Sequence, residues 1–165
     1  MPALAAGTLA PDFILTGLDG QKFSLQEGLQ RGPVIVAFFK VSCPTCQYAF
    51  PFLQRLYEAY ENKPVTVIGI SQNDRKQTAS FIREFGITFP ILLDDIQSYP
   101  VSNAYGLTNV PSIFWIGKDG EIELSTVGWV KADFEAMNRR LAESVQSAEI
   151  PLFNPEEDVR DFRAG

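Results

Sequence analysis

The stretch Val34-Ile35-Val36-Ala37-Phe38-Phe39-Lys40-Val41-Ser42-Cys43-Pro44-Thr45-Cys46 decides the fold. Residues 34–39 are apolar without alternation, as expected of a strand covered on both faces. After Pro44, the residues Ala49, Phe52, Leu53, Leu56 and Tyr60 recur at helical spacing, which predicts a helix over residues 44–61 with one apolar face. Pro44 suits its first position, where the missing N–H would be unpaired anyway. Pro51 removes the bond to the Gln47 carbonyl and predicts a kink after the first turn. Residues 65–70 form a second continuous β-branched run. A strand, a helix and a strand in this order cross over right-handed into parallel pairing.

Working outward, residues 13–15 and 22–25 flank Asp19-Gly20, which predicts an N-terminal β-hairpin. Gly28 and Gly32-Pro33 then read as a break before the first central strand. Asp74 to Phe85 reads as a helix with Asp74 as N-cap and Gly86 as its stop. A short strand at residues 91–93, a short helix at 98–105 and a hairpin across Lys118-Asp119-Gly120 follow. Phe134, Met137, Leu141 and Val145 mark a last helix over residues 131–147. The expected architecture is α/β: a central mixed β-sheet flanked by helices, preceded by the hairpin, in one domain over residues 1–147. Residues 148–165 form an acidic tail containing Pro151 and Pro155, with no helical or strand period. Its composition predicts a frayed end. The alternative is a strap that lays Ile150, Leu152, Phe153, Val159 and Phe162 across the body.

The 165 residues include no histidine, and that absence excludes much. No Ser-His-Asp or Cys-His nucleophile, His-bearing zinc site or histidine proton shuttle can be built from these side chains alone. A formal net charge of −6 without a basic stripe argues against a nucleic-acid partner. No apolar run reaches the roughly 20 residues that cross a bilayer, so no membrane partner is expected. The start MPALAAGTLAPDF lacks the charged and apolar regions of a signal peptide, which predicts a cytoplasmic protein.

Chemistry then falls to Cys43 and Cys46, which the strand hands to the helix start. Two cysteines at this spacing meet across one helical turn. The first faces the unpaired amides and positive end of the helix dipole, which stabilise a thiolate. Cys43 is the expected nucleophile and Cys46, one turn further in, the resolving thiol, the arrangement that thiol–disulfide exchange requires. Two other readings compete: a pair of inert buried cysteines, and half of a zinc site completed by another subunit. No metal and no cofactor are expected.

Phe38-Phe39 before Cys43-Pro44-Thr45-Cys46, with Pro51 beyond, resembles the thioredoxin-fold redoxins, in particular the TlpA-like thiol–disulfide oxidoreductases and the AhpC/TSA-type redoxin domain. Gly7-Thr8-Leu9-Ala10-Pro11-Asp12-Phe13 is similar to the usual start of that superfamily, and Asn109-Val110-Pro111-Ser112 to its cis-proline segment. The resemblance implies a thioredoxin-like fold and a cis Val110-Pro111 bond beside the cysteines. It also implies Val110 backbone groups that pair a bound substrate, and protein disulfides as partners. Thioredoxin or a flavin disulfide reductase would be the electron donor. Pro44 and Thr45, between the cysteines, tune the reduction potential.

The departures are specific. Ala37 stands where thioredoxins carry a buried Asp, and Ala49 where many TlpA-like proteins carry a Glu. Lys40 is the nearest ionisable side chain on the strand side, and the expectation is that it helps to hold the Cys43 thiolate. A peroxiredoxin-type thiol peroxidase with antioxidant activity is the alternative. Val36 and Lys40 occupy the Pro and Thr positions of that pattern, against this reading. A non-enzymatic binding module that retains the fold is the third reading.

Overall fold

The computed structural model describes residues 3–165. The hairpin pairs β1 (Ile14–Thr16) with β2 (Lys22–Ser24) around Gly20, whose φ of 81° requires glycine. Helix α1 (Leu25–Arg31) follows at once, with the Ser24 side chain accepting from the Glu27 N–H at 3.1 Å. By its local sequence Gly28 reads as a break here. Instead it lies inside the helix, because a Cβ there would stand 2.8 Å from the Phe23 ring, and glycine lets the hairpin pack on the helix. Then come β3 (Val34–Phe39), α2 (Pro44–Tyr60), β4 (Thr66–Ser71), α3 (Arg75–Phe85), β5 (Ile91–Leu93) and α4 (Pro100–Ala104). The chain ends with β6 (Ser112–Ile116), β7 (Ile122–Val127), β8 (Trp129–Val130), α5 (Lys131–Ser144) and β9 (Phe162–Arg163).

The central sheet has five strands in the order β5-β4-β3-β6-β7. β3 lies in the middle, parallel to β4 and antiparallel to β6, and every one of its residues is buried. Alternate side chains therefore feed two cores. Ile35, Ala37 and Phe39 pack with Leu53 and Leu56 of α2 and with Phe134 and Leu141 of α5. Val34, Val36 and Phe38 pack on the opposite face with Leu25 and Leu29 of α1 and with Tyr105. Both sheet edges are covered by chain: Leu18 N–H donates to Ile91 O at 3.0 Å, and Gly7 N–H to Ile122 O at 2.8 Å.

The tail is a strap, not a frayed end. Leu152 is only 5% exposed and joins the core under α2 and α5. Phe153 packs edge-on against Phe52 at 5.3 Å, and Lys131 Nζ lies over its ring at 5.4 Å. Arg55 donates to the Leu152 carbonyl at 3.1 Å and grips both carboxylate oxygens of Glu157 at 2.8 and 2.6 Å. Trp129 Nε1 donates to the Arg160 carbonyl at 2.6 Å, and β9 then pairs with β8, Trp129 opposite Arg163. These anchors fall at irregular intervals on side chains of other elements, so no periodicity within residues 148–165 announces them.

The strap has a measurable energetic signature. Leu152→Ala should lower the unfolding free energy by about 2 kcal/mol in urea denaturation, the low end for a buried leucine. A frayed segment would give no change.

Candidate active site

β3 delivers the chain to the site because its flat apolar run ends at Phe39, where the strand leaves the core and the loop 40–42 turns into α2. Cys43 is the N-cap of that helix, with φ −80° and ψ 114°, and Pro44 takes the first helical position. The Cys46 N–H donates to Cys43 Sγ at 3.2 Å. The Cys43 thiol, when protonated, donates to the Val110 carbonyl at 3.4 Å. Val110 precedes Pro111 across a cis peptide bond, in the segment that leads into β6. Both cysteines are reduced; Cys43 is partly exposed and Cys46 fully buried.

The two sulfurs have opposite electrostatics. The Cys43 pKa is held down to about 6, first by the Cys46 thiol donating to it, then by the backbone N–H groups of Cys46 and Thr45 and the charge of Arg163. Its partial burial opposes this and is outweighed. Cys46 is pushed far up, chiefly because burial removes water from it and also because its own proton bridges to Cys43. At neutral pH the pair is one thiolate and one thiol.

Ala37 and Ala49 are fully buried in the same apolar cluster as Cys46. Asp94 is the one buried carboxylate among the described residues, and its oxygens serve the start of α4, accepting from Val101 N, Ser102 N and Ser102 Oγ. No carboxylate therefore stands ready to move the Cys46 proton. Among the described residues, no group of three His, Cys, Asp or Glu is placed to hold a metal ion.

Lys40 follows the end of β3. Its side chain is exposed, and it meets the site through its backbone, its carbonyl accepting the Cys43 N–H at 3.2 Å. The charge of Arg163, brought in by the strap, adds to the Cys46 thiol and the backbone amides in favouring the Cys43 anion and is the smallest of these contributions. Thr45 differs from a solvent-facing first-turn residue: it is buried, and its Oγ1 donates to the Ala164 carbonyl at 2.5 Å. Tyr48 completes this flank, with its hydroxyl accepting from the Arg160 N–H at 3.0 Å and Arg163 lying 5.9 Å from its ring centre. Sequence reading missed Arg163, Ala164 and Gly165 as site residues because their placement depends on the β8–β9 pairing. On the other flank Pro111 is buried, Val110 is partly exposed, and a cavity of about 220 Å³ opens between Lys40, Gln72, Asn103 and Asn109. Val36 lies in the core and Lys40 in solvent, so neither position of the peroxidase pattern puts a hydroxyl beside Cys43.

The AhpC/TSA family matches residues 6–125, which include the dithiol, the cis-proline segment and most of the central sheet. The chain belongs to the AhpC/TSA family. A thiol-disulfide oxidoreductase ResA of Geobacillus thermodenitrificans is 32% identical over 127 residues, covering 76% of this chain and 71% of that protein. The ResA of Geobacillus kaustophilus is 33% identical over 135 residues, covering 81% and 76%. Among solved structures, a putative protein disulfide isomerase from Bacteroides thetaiotaomicron superposes with a TM-score of 0.80 at 22% identity, covering 89% of this chain and 96% of that one. A putative thiol:disulfide interchange protein DsbE from Chlorobium tepidum gives 0.76 at 24% identity, covering 87% and 99%. These two establish the thioredoxin-like fold. The protein is a thiol–disulfide oxidoreductase, and Cys43 and Cys46 are its dithiol.

Two consequences of the electrostatics can be measured. Between pH of about 6 and the ordinary thiol value of about 8.5, folded Cys43 holds fewer protons than unfolded Cys43. Stability of the reduced protein should therefore rise with pH across that window and be lost as pH falls through the folded value. Urea denaturation at several pH values checks this against Cys43→Ala, which should lack that component. Separately, Arg163→Gln should move the pH midpoint of Cys43 alkylation upward, whereas Lys40→Met should leave it in place.

Proposed function

We propose that Cys43 attacks and Cys46 resolves in exchange with protein disulfides. The observation that carries this is the asymmetry of the pair: a partly exposed sulfur ionised near pH 6 beside a fully buried thiol. In the first step the Cys43 thiolate forms a bond to one substrate sulfur, the substrate S–S bond breaks, and the other substrate sulfur leaves as a thiolate that takes a proton. In the second, Cys46 loses its proton and attacks Cys43 of the mixed disulfide. The Cys43–Cys46 bond forms and the second substrate sulfur leaves. The substrate is reduced by two electrons and the dithiol oxidised.

The raised Cys46 pKa makes the second proton removal the demanding event. With Ala37 and Ala49 in the two nearby core positions, the base is water or the departing substrate thiolate. Val110, whose carbonyl borders Cys43, and Pro111 position the incoming disulfide. Pro44 presets the helix start, and Thr45 contributes its N–H to the anion. In a reducing cytoplasm the oxidised pair would be recharged by thioredoxin or a flavin disulfide reductase. The stabilised thiolate favours the reduced form and shifts the pair towards oxidant relative to a free dithiol.

Cys46→Ser should accumulate a covalent adduct with a disulfide-containing protein, visible by mass and released by dithiothreitol. Cys43→Ser should form none and lose at least about 100-fold in disulfide-exchange rate, as expected when the nucleophile is removed. An adduct at Cys46 in the Cys43→Ser protein would reverse the assignment.

A further inference from the structure

The wall of the cleft beside Cys43 comes from the far end of the chain. Pairing of β8 with β9 carries Ala164 and Gly165 to the rim of the site. There the Ala164 carbonyl takes the Thr45 hydroxyl at 2.5 Å, and Asn109 Nδ2 donates to the Gly165 carbonyl at 3.4 Å. Thr45 sits in the first turn of α2, where a side chain ordinarily faces water, yet it is only 4% exposed. Gly165 fits because it has no side chain: a Cβ on it would stand 2.5 Å from the Val110 carbonyl, the same group that Cys43 Sγ meets at 3.4 Å. The backbone at Gly165 thus lies against the backbone that borders the reactive sulfur. The opposite flank is open, with the cavity of about 220 Å³ whose lining includes Lys40, Gln72, Asn103, Asn109 and Val110.

We propose that residues 162–165 determine substrate size: they wall off the Thr45 side of Cys43 and cover one face of the Val110 backbone, so that disulfides reach Cys43 and the open face of Val110 from the Lys40 side on narrow carriers. Low-molecular-weight disulfides and disulfides on protruding loops fit that approach. An extended polypeptide lying along the covered face of Val110 does not, because Gly165 already fills the space. This deepens the disulfide-exchange reading and rests on Cys43 as the attacking sulfur.

The test measures access to the sulfur without requiring exchange activity. In the full chain carrying Cys46→Ser, Cys43 is alkylated in parallel with iodoacetamide and with a maleimide bearing a 5-kDa polyethylene glycol. Taking the ratio of the two rates removes changes in thiolate fraction. Deleting residues 162–165 should raise the relative rate of the bulky reagent at least about five-fold, since exchange and alkylation depend on access as well as ionisation. Gly128→Ala should do the same at full chain length, because its Cβ would stand 2.5 Å from the Arg163 carbonyl and 2.9 Å from Gly165 N, lifting the strand. A ratio unchanged within about two-fold in the truncated protein overturns the proposal. So does a rise on truncation that Gly128→Ala fails to reproduce, which would trace the effect to the deleted side chains.

Discussion

The first turn of α2 presents amides that no helical carbonyl can satisfy, and Cys43 Sγ is the acceptor they find. Most of the site depends on that contact. It makes Cys43 the N-cap, ties the Cys46 N–H to the first sulfur, and leaves the Cys46 thiol able to donate to the same atom. A cap built from sulfur is weaker as a hydrogen-bond acceptor than Ser or Asp. Ionisation compensates, because a charged acceptor at a helix N-terminus gains from both the amides and the dipole. The helix thereby stabilises the anion, and the anion stabilises the helix start.

The rest of the fold serves to hold that turn in place and keep its partner sulfur dry. β3 is buried on both faces, which fixes where the strand ends and where α2 begins. Ala37 and Ala49 pack into the Cys46 cluster and bring no charge with them. The same dryness keeps Cys46 a thiol and makes its proton costly to remove. On the solvent side, the strap answers the exposure of Cys43 by bringing Arg163 towards it and burying Thr45. Its anchors run from Arg55 with Glu157 through Trp129 with Arg160 to Thr45 with Ala164, so the segment beside Cys43 is held both upstream and at the site itself.

The central strand, the helix that follows and the dithiol were legible in the sequence because each carries a local signal: an unbroken apolar run, a 3.6-residue period and a Cys-Pro-x-Cys start. Asp74 and Gly86 marked the ends of α3 for the same reason, one as an N-cap and the other as a left-handed stop with φ of 66°. Helix α1 was missed because Gly28 reads locally as a breaker, and only the Phe23 ring against it explains why glycine belongs there. The strap was illegible for a deeper reason. Leu152, Phe153 and Arg160 are specified by partners about 100, 100 and 30 positions earlier, and nothing in their own spacing records it. Lys40 is the cation nearest Cys43 in sequence, whereas the charge of Arg163 reaches Cys43 only through the fold.

Counting thiolates tests the central claim most directly. Titrating the reduced wild-type chain by thiolate absorbance in the far ultraviolet, with Cys43→Ser and Cys46→Ser as references, reports how many sulfurs ionise and where. A single thiolate should form with a midpoint near pH 6, lost in Cys43→Ser, with no second one up to pH of about 10. Two thiolates appearing together near pH of about 8.5, the ordinary thiol value, would contradict it.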